Sequence, residues 1–167
     1  ASSSMAARPT REVSETAFDL LHQELVRLYF SDEVQHAHPD KVLEHMGFDV
    51  GMKLAERYAK DKQRFADELD VITFLCKDFW DEVFRKQMDK LRTNHKGVYE
   101  LQDHKFRALT RLSTSTGVTE VRASAHKHSV FTCGIIRGAL ANLGVNVLVS
   151  ADVSALPICT FLVKVKT

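Results

Sequence analysis

The first half of the chain repeats apolar residues at the spacing of an α-helix. One such segment predicts a helix over residues 15–30, with apolar positions Phe18, Leu21, Leu25 and Leu28. Pro39 opens a second helix, in which the apolar positions are Leu43, Met46, Val50 and Leu54. Both helices carry more apolar surface than contact with one core requires, so we expect part of it to face a partner.

Gly47 and Gly51 lie one turn apart in the second helix. Each glycine costs about 1 kcal/mol relative to alanine inside a helix, so we expect close backbone packing as compensation. A long third helix is predicted over residues 67–91, because apolar side chains cover more than half of its circumference. The polar segment 93–97 is expected to end it, with Gly97 in the left-handed conformation.

The apolar period then changes from helical to two. Alternation over residues 105–112 predicts a strand with one wet face. Residues 98–101 are expected to pair with it across a tight turn at 102–104. Two further strands are predicted where alternation returns, over 147–153 and 159–165.

Between these strand pairs, residues 113–128 show no periodicity and are expected to form a loop. A fourth helix is predicted over 130–143, ended by Gly144. The order is three N-terminal helices followed by ββ-α-ββ, an α+β fold with a four-stranded antiparallel sheet covered by helices. We expect residues 1–14 to be a flexible extension and residues 15–167 to form a single domain.

The composition fits one globular domain of 167 residues, 44% hydrophobic and 27% charged. The net charge is +1, which argues against binding of nucleic acid or an anionic membrane by charge alone. Cys76, Cys133 and Cys159 lie in apolar runs, so we interpret them as reduced core thiols of an intracellular protein. Residues 1–16 lack the apolar region of a signal peptide, and polar residues interrupt the apolar stretch 130–149, so no membrane span is expected.

Signatures of common enzyme classes are absent from the sequence: neither a glycine-rich phosphate loop nor a GxSxG or HExxH motif occurs. Cys133 with His126 and His128 is a conceivable thiol–imidazole pair, but a core cysteine and two loop histidines is the simpler interpretation. The spaced histidines His36 and His38, like His126 and His128, have no third ligand nearby. We therefore predict no catalytic residue, no cofactor and no metal.

Arg137 is the unusual residue of the fourth helix, because it lies in a strip of small residues formed by Gly134, Gly138 and Ala141. Such a strip lets a second backbone approach closely. Two interpretations of Arg137 stay open. Its guanidinium reaches from the helix edge to a carboxylate, or it is fixed at an interface with a partner.

Several sequence blocks, in this order along the chain, resemble the subunit-6 type of small subunit of the TRAPP (transport protein particle) complex. The two longest are Phe74-Leu75-Cys76-Lys77-Asp78-Phe79-Trp80 and Cys133-Gly134-Ile135-Ile136-Arg137-Gly138-Ala139-Leu140. The others are residues 46–48, 50–51, 56–57, 86–89, 91–97, 101–103, 142–144 and 153–159. The loop over 113–129 departs from the family pattern, and His104 stands where the family more often has Asn.

The resemblance implies a non-catalytic scaffold subunit of a complex that tethers vesicles in ER-to-Golgi and Golgi transport and promotes nucleotide exchange on a Rab GTPase. It implies a cytoplasmic protein, peripheral at cis-Golgi and ER–Golgi membranes. Other core subunits of the complex are implied partners. The chief partner is a homologous small subunit that carries a fatty acyl chain on a cysteine just before its third helix. Residues 60–65 contain no cysteine here, so this chain is not expected to be acylated at that position.

In this family the small subunits pair through their first two helices, where this chain has surplus apolar surface. The residues predicted to bind the partner are Phe18, Leu21, Leu25, Met46, Val50 and Leu54. A homodimer is expected to be possible when the chain is isolated. Two alternatives stay open: a binding module for a small hydrophobic ligand, because helices over a sheet can enclose a hydrocarbon pocket, and a thiol enzyme around Cys133.

Overall fold

A computed structural model describes residues 13–31, 37–62, 64–94, 96–110, 112 and 118–166. Most of the predicted extension, residues 1–12, lies outside this range, as do residues 113–117 of the predicted loop. The elements are α1 (Glu15–Phe30), α2 (Pro39–Ala59), α3 (Glu68–Phe74), a π-helical turn (Leu75–Phe79), α4 (Trp80–Phe84), β1 (Lys90–Thr93), β2 (Val98–Asp103), α5 (Arg107–Thr110), α6 (Val118–Asn142), β3 (Val147–Asp152) and β4 (Cys159–Val165).

The α+β prediction is confirmed; α1 has the predicted bounds and α2 begins at Pro39 as predicted. All four strands form one antiparallel sheet in the order β1-β2-β4-β3. The hairpin register places Leu101 of β2 opposite Phe161 of β4, which in turn lies opposite Ala151 of β3. The long helix α6 packs on this sheet, and α2 packs on the opposite side of α6.

The third helix is shorter than predicted. It runs from Glu68 through the π-helical turn to Phe84 and ends at Arg85, which adopts the left-handed conformation with φ 58°. Met88 and Leu91 continue the apolar spacing, but they belong to the chain that returns from the helix. The Met88 amide donates to the carbonyl oxygen of Cys76 at 2.9 Å, so the returning chain docks beside the π-helical turn.

The prediction of a strand over residues 105–112 is wrong. Phe106 is buried at the turn, and the next residues form the short helix α5. Phe106 and Leu109 are both buried, a spacing of three that fits a helix. The strand that pairs with β2 on this side is β1, whose first two residues lie within the range predicted for the third helix. Gly97 has the predicted positive φ, 73°, but it lies in the hairpin between β1 and β2 rather than at a helix end.

The fourth helix begins 12 residues before the predicted start, because α6 extends from Val118 to Asn142. Residues 118–128 are therefore helix and not loop. Their buried positions, Val121, Ala125 and His128, follow helical spacing, but alanine and histidine give it a weak apolar signal. The end is as predicted, with Gly144 at φ 87° after the last turn.

Four glycines form a seam between α2 and α6, as the spacing predicts. A Cβ atom on Gly47 or Gly51 would overlap the carbonyl oxygens of Phe131 and Ile135 on α6. Conversely, a Cβ atom on Gly134 or Gly138 would overlap carbonyl oxygens of α2. The two backbones therefore touch along two turns of each helix, and this contact determines which side of α2 points away from the domain.

The core between the helices and the sheet is filled with aromatic rings. The Trp80 ring lies 4.2 Å from that of Phe84 and 5.6 Å from that of Phe161. Phe106 packs edge-on against Phe161 at 5.3 Å. Aromatic pairs at these separations contribute favourably beyond the area they bury.

Candidate functional site

In the first turns of α1, the side chains that point outward are more apolar than those that pack on the domain. Phe18 and Leu21 are 43% and 61% exposed. The buried residues of α1 are Asp19, His22 and Val26. A surface helix ordinarily turns its apolar stripe to the core, so this inverted arrangement is typical of a helix with a partner on its outer side.

A second apolar stripe follows the outer side of α2. Val42, Met46 and Val50 recur every fourth residue and are 38%, 36% and 37% exposed. The inner side carries Gly47 and Gly51 in the seam with α6. Apart from the buried Leu43, the inner packing of α2 uses small residues, and the three larger apolar side chains of this stripe lie at the surface.

The six residues predicted to bind a partner fall into two groups. The exposed ones are Phe18, Leu21, Met46 and Val50. Leu25 and Leu54 are half-buried and pack against the domain's own core. Leu28 and Val42, which are not among these six, are also exposed and stand one helical turn from Leu25 and Met46. Since α1 contacts α2, the two stripes lie on neighbouring helices, and their role in binding stays a prediction.

The buried face of α1 is attached to the domain through charged groups. The Nε atom of Arg107, the first residue of α5, donates to Oδ1 of the buried Asp19 at 2.7 Å. The Nη1 atom of Arg107 lies 3.0 Å from Oε2 of Glu15. One guanidinium thus joins α1 to α5, a contact that the predicted strand over 105–112 did not anticipate.

His22 packs among rings of α6. Its ring centroid lies 5.5 Å from that of His128 and 5.6 Å from that of Phe131. Burial and the neighbouring His128 lower the pKa of His22 to about 4, against a smaller opposing effect of Asp19. Burial and the nearby Lys127 also lower the pKa of His128. Both imidazoles are therefore neutral at pH 7.

Arg137 reaches a carboxylate from the edge of its helix, which is the first of the two interpretations left open by the sequence. Its Nε atom donates to Oε1 of Glu44 on α2 at 2.7 Å. The guanidinium carbon lies 4.4 Å from the ring centroid of Phe48, one turn further along α2. Arg137 therefore binds across the edge of the glycine seam and supports the α2–α6 contact.

The cysteines do not form a reactive site. All three are free and buried, which confirms that they are core thiols. Burial raises the pKa of Cys133 to about 12, whereas a nucleophilic thiol needs a lowered pKa. The thiol-enzyme alternative is therefore disfavoured. His126 is exposed, His36 lies outside the described residues, and within those residues no group of three His, Cys, Asp or Glu side chains is placed to bind a metal.

Several motif residues that carry the family resemblance meet in one hydrogen-bonded network. Asp103, only 1% exposed, accepts from Nε1 of Trp80 at 3.1 Å and from Nζ of Lys86 at 2.5 Å. Lys86 also binds Asp89 at 2.9 Å, and the His104 amide donates to Asp89 at 2.7 Å. These hydrogen bonds and charges lower the pKa of Asp89 and raise that of Lys86. The motifs thus fix the turn after α4 to the end of β2, and their role here is structural.

The segment before α3 carries a cation and an aromatic ring where the family resemblance places an acylated cysteine. Nζ of Lys62 lies 2.6 Å from Oδ2 of Asp78 and 5.7 Å from the ring centroid of Phe74. Phe65 packs on the same ring of Phe74 at 5.2 Å. Across the described residues, no helix combines the length and apolarity that a bilayer span requires.

Comparisons with known proteins agree with this reading of the motifs. Trafficking protein particle complex subunit 6B of Homo sapiens is 49% identical over 156 residues, covering 91% of this chain and 97% of that protein. Subunit 6b of Danio rerio is 49% identical over 155 residues with the same coverage of both chains.

A solved structure shares the fold. The crystal structure of a trafficking protein particle complex subunit 3 from Naegleria fowleri, covalently bound to palmitic acid, superposes with a TM-score of 0.70 at 16% identity, over 92% of this chain and 98% of that one. The sequence profile of the family "Transport protein particle (TRAPP) component" matches residues 18–166. The chain belongs to this family of TRAPP small subunits, and its sequence is similar to the subunit 6 members.

Proposed function

We propose that this chain is a non-catalytic scaffold subunit of a TRAPP complex. In this role it pairs with a homologous small subunit through the outer faces of α1 and α2. The observation that carries the proposal is the inverted polarity of α1, which exposes Phe18 and Leu21 while it buries Asp19 and His22. An apolar surface of that kind on a soluble domain is stable once a second apolar surface covers it.

The partner in this proposal is the acylated type of small subunit. The palmitate-bound subunit 3 that shares the fold is a protein of that type. This chain has Lys62 and Phe65 in the segment before α3, so only the partner would carry the acyl chain. A heterodimer then contains one acylated and one non-acylated subunit, joined through equivalent pairs of helices.

The assembled complex, and not this chain alone, would promote nucleotide exchange on a Rab GTPase. The three cysteines are buried core thiols, and the sequence has no phosphate-binding loop, which supports a scaffold role. The proposed location is cytoplasmic and peripheral at cis-Golgi and ER–Golgi membranes, where other core subunits of the complex are further partners.

Affinity capture of the tagged chain from cytosol tests the proposal, with the co-purifying proteins identified. We expect an acylated small subunit at near-equal amount, together with other TRAPP subunits. The purified chain alone should not accelerate GDP release from a Rab, whereas the captured complex should. Capture without any TRAPP subunit, or exchange by the isolated chain in proportion to its concentration, contradicts the proposal.

The alternative of a hydrophobic-ligand module has no comparable support. The space between helices and sheet contains the rings of Trp80, Phe84, Phe106 and Phe161 in mutual contact. Native mass spectrometry of the purified chain distinguishes the two functions, because a ligand module should retain a bound lipid and a scaffold subunit should not.

A further inference from the structure

Polar side chains attach the first turns of α1 to the rest of the domain, whereas its last turns pack apolar side chains on the core. Of its buried residues, Asp19 forms an ion pair with Arg107 at 2.7 Å, His22 lies among the rings of α6, and Val26 is the apolar one. Glu15 adds a second contact to Arg107 at 3.0 Å. The first turns of α1, which expose Phe18 and Leu21, therefore rest on charged and titratable groups.

A small cavity lined by both apolar and polar side chains lies at this attachment. It has a volume of about 20 Å³, and its walls include Asp19, His22, Arg107, Phe131 and Thr132. The Nε2 atom of His22 is buried and has no hydrogen-bond partner among the described residues. A cavity of that size accommodates one water molecule, so the environment of His22 suits a neutral imidazole and provides little solvation for a charged one.

We propose that His22 is a positioning residue for the apolar stripe of α1, and that protonation of His22 weakens the docking of the first turns of α1 on the domain. The charged and titratable groups that face His22 are Asp19 on its own helix, Arg107 on α5 and His128 on α6, with Lys127 next to His128. The proposal rests on the proposed function, since the stripe matters only if a partner binds it. The affinity for the partner would then depend on the protonation of His22, a buried residue that the partner does not contact.

The direction of the effect follows from linkage. The pKa of His22 is about 4 when α1 is docked and returns to its ordinary value of 6.5 when α1 is released. The docked state thus binds fewer protons, and docking weakens as the pH falls through the range from 6.5 to 4. Between pH 7.5 and 5.5 the docking equilibrium constant should fall by about tenfold.

Amide hydrogen exchange in the isolated chain measures this equilibrium. At pH 7.5 and 5.5, the protection factors of the α1 amides are compared with those of α2 and α6, after correction for the intrinsic pH dependence of exchange. We expect about a tenfold loss of protection in α1 at the lower pH and a clearly smaller change in α2 and α6. Equal changes in all three helices, or none in α1, would overturn the proposal.

Two variants separate titration from packing. His22→Phe preserves the stacking on Phe18 and Phe131 but cannot bind a proton, and His22→Gln is measured in parallel in case the phenyl ring does not fit. Each should remove most of the pH dependence of α1 protection. Arg107→Gln should lower α1 protection at both pH values and leave the pH dependence present. A variant without His22 that still loses tenfold protection at pH 5.5 refutes the role of this residue.

A final arm distinguishes failure of the inference from failure of the proposed function. Adding the acylated small subunit at about ten times its dissociation constant should raise α1 protection roughly tenfold. Leu21→Glu should lose this gain but keep the pH dependence. If the parent chain shows pH dependence but no gain with the partner, the proposed pairing is wrong and the positioning role is supported. If the gain occurs without pH dependence, the pairing is supported and the role of His22 is wrong.

Discussion

Replacing Gly138 by alanine adds one methyl group where α6 touches the backbone of α2. A Cβ atom at this position would lie 2.8 Å from the carbonyl carbon of Phe48 and closer still to its oxygen. Ordinary carbon contacts begin at about 3.5 Å, so the helices must separate. Overpacking of this kind costs about 1–3 kcal/mol, and it outweighs the gain of up to about 1 kcal/mol that alanine normally brings to a helix.

Thermal unfolding followed by circular dichroism measures the sign of this effect. At about 2–4 °C per kcal/mol for a domain of this size, Gly138→Ala should lower Tm by several degrees. Gly138→Leu should prevent stable folding. Ala123→Leu, at an exposed position in the first half of the same helix, is the matched control and should leave Tm nearly unchanged. A Gly138→Ala variant that melts at or above the parent temperature would refute the account of the seam.

Three further changes test other parts of the structure. Lys86→Met leaves the buried carboxylate of Asp103 without its cation and should destabilise the domain by on the order of 3 kcal/mol, as measured by urea unfolding; an unchanged midpoint contradicts the role of the network. Cys133, with its pKa raised to about 12, should resist alkylation at pH 8 in the folded chain and react once the chain is unfolded; rapid labelling of the native protein would show that this thiol is accessible. Leu25→Glu should lower Tm of the isolated chain because Leu25 packs against the core, whereas Leu21→Glu should not; equal melting temperatures would mean that Leu25 is also at the surface.

The sequence predicts those elements in which one apolar period runs long enough to be unambiguous. This applies to α1, α2, β3 and β4, and to the glycine seam. It fails over residues 85–94 and 105–112, where the apolar spacing continues across a change of secondary structure or fits both a strand and a helix, whereas the strand predicted over 98–101 is present as β2. Met88 and Leu91 continue the apolar spacing of the third helix, although that helix has already ended at Arg85. Such cases are decided by long-range contacts, here the hydrogen bond between Met88 and Cys76.

The candidate interface could be predicted only in part from the sequence, again because apolar spacing alone does not define the long-range contacts. Periodicity identifies the apolar positions of α1 but does not reveal which side of the helix faces the domain. Asp19 and His22 are polar, so sequence patterns place them outside, and the structure places them inside against Arg107 and His128. Leu25 on α1 and Leu54 on α2, chosen for the same interface as Leu21, are half-buried because they pack against the domain's own core.

The affinity of this chain for the acylated small subunit, measured for two matched leucine variants, tests the central claim most directly. Leu21 on α1 and Leu148 on β3 are 61% and 55% exposed, so glutamate at either position should leave the isolated domain folded. We expect Leu21→Glu to weaken binding at least about 30-fold, equivalent to about 2 kcal/mol, and Leu148→Glu to bind as the parent does. Equal binding by the folded Leu21→Glu variant and the parent would show that the outer face of α1 is not the interface.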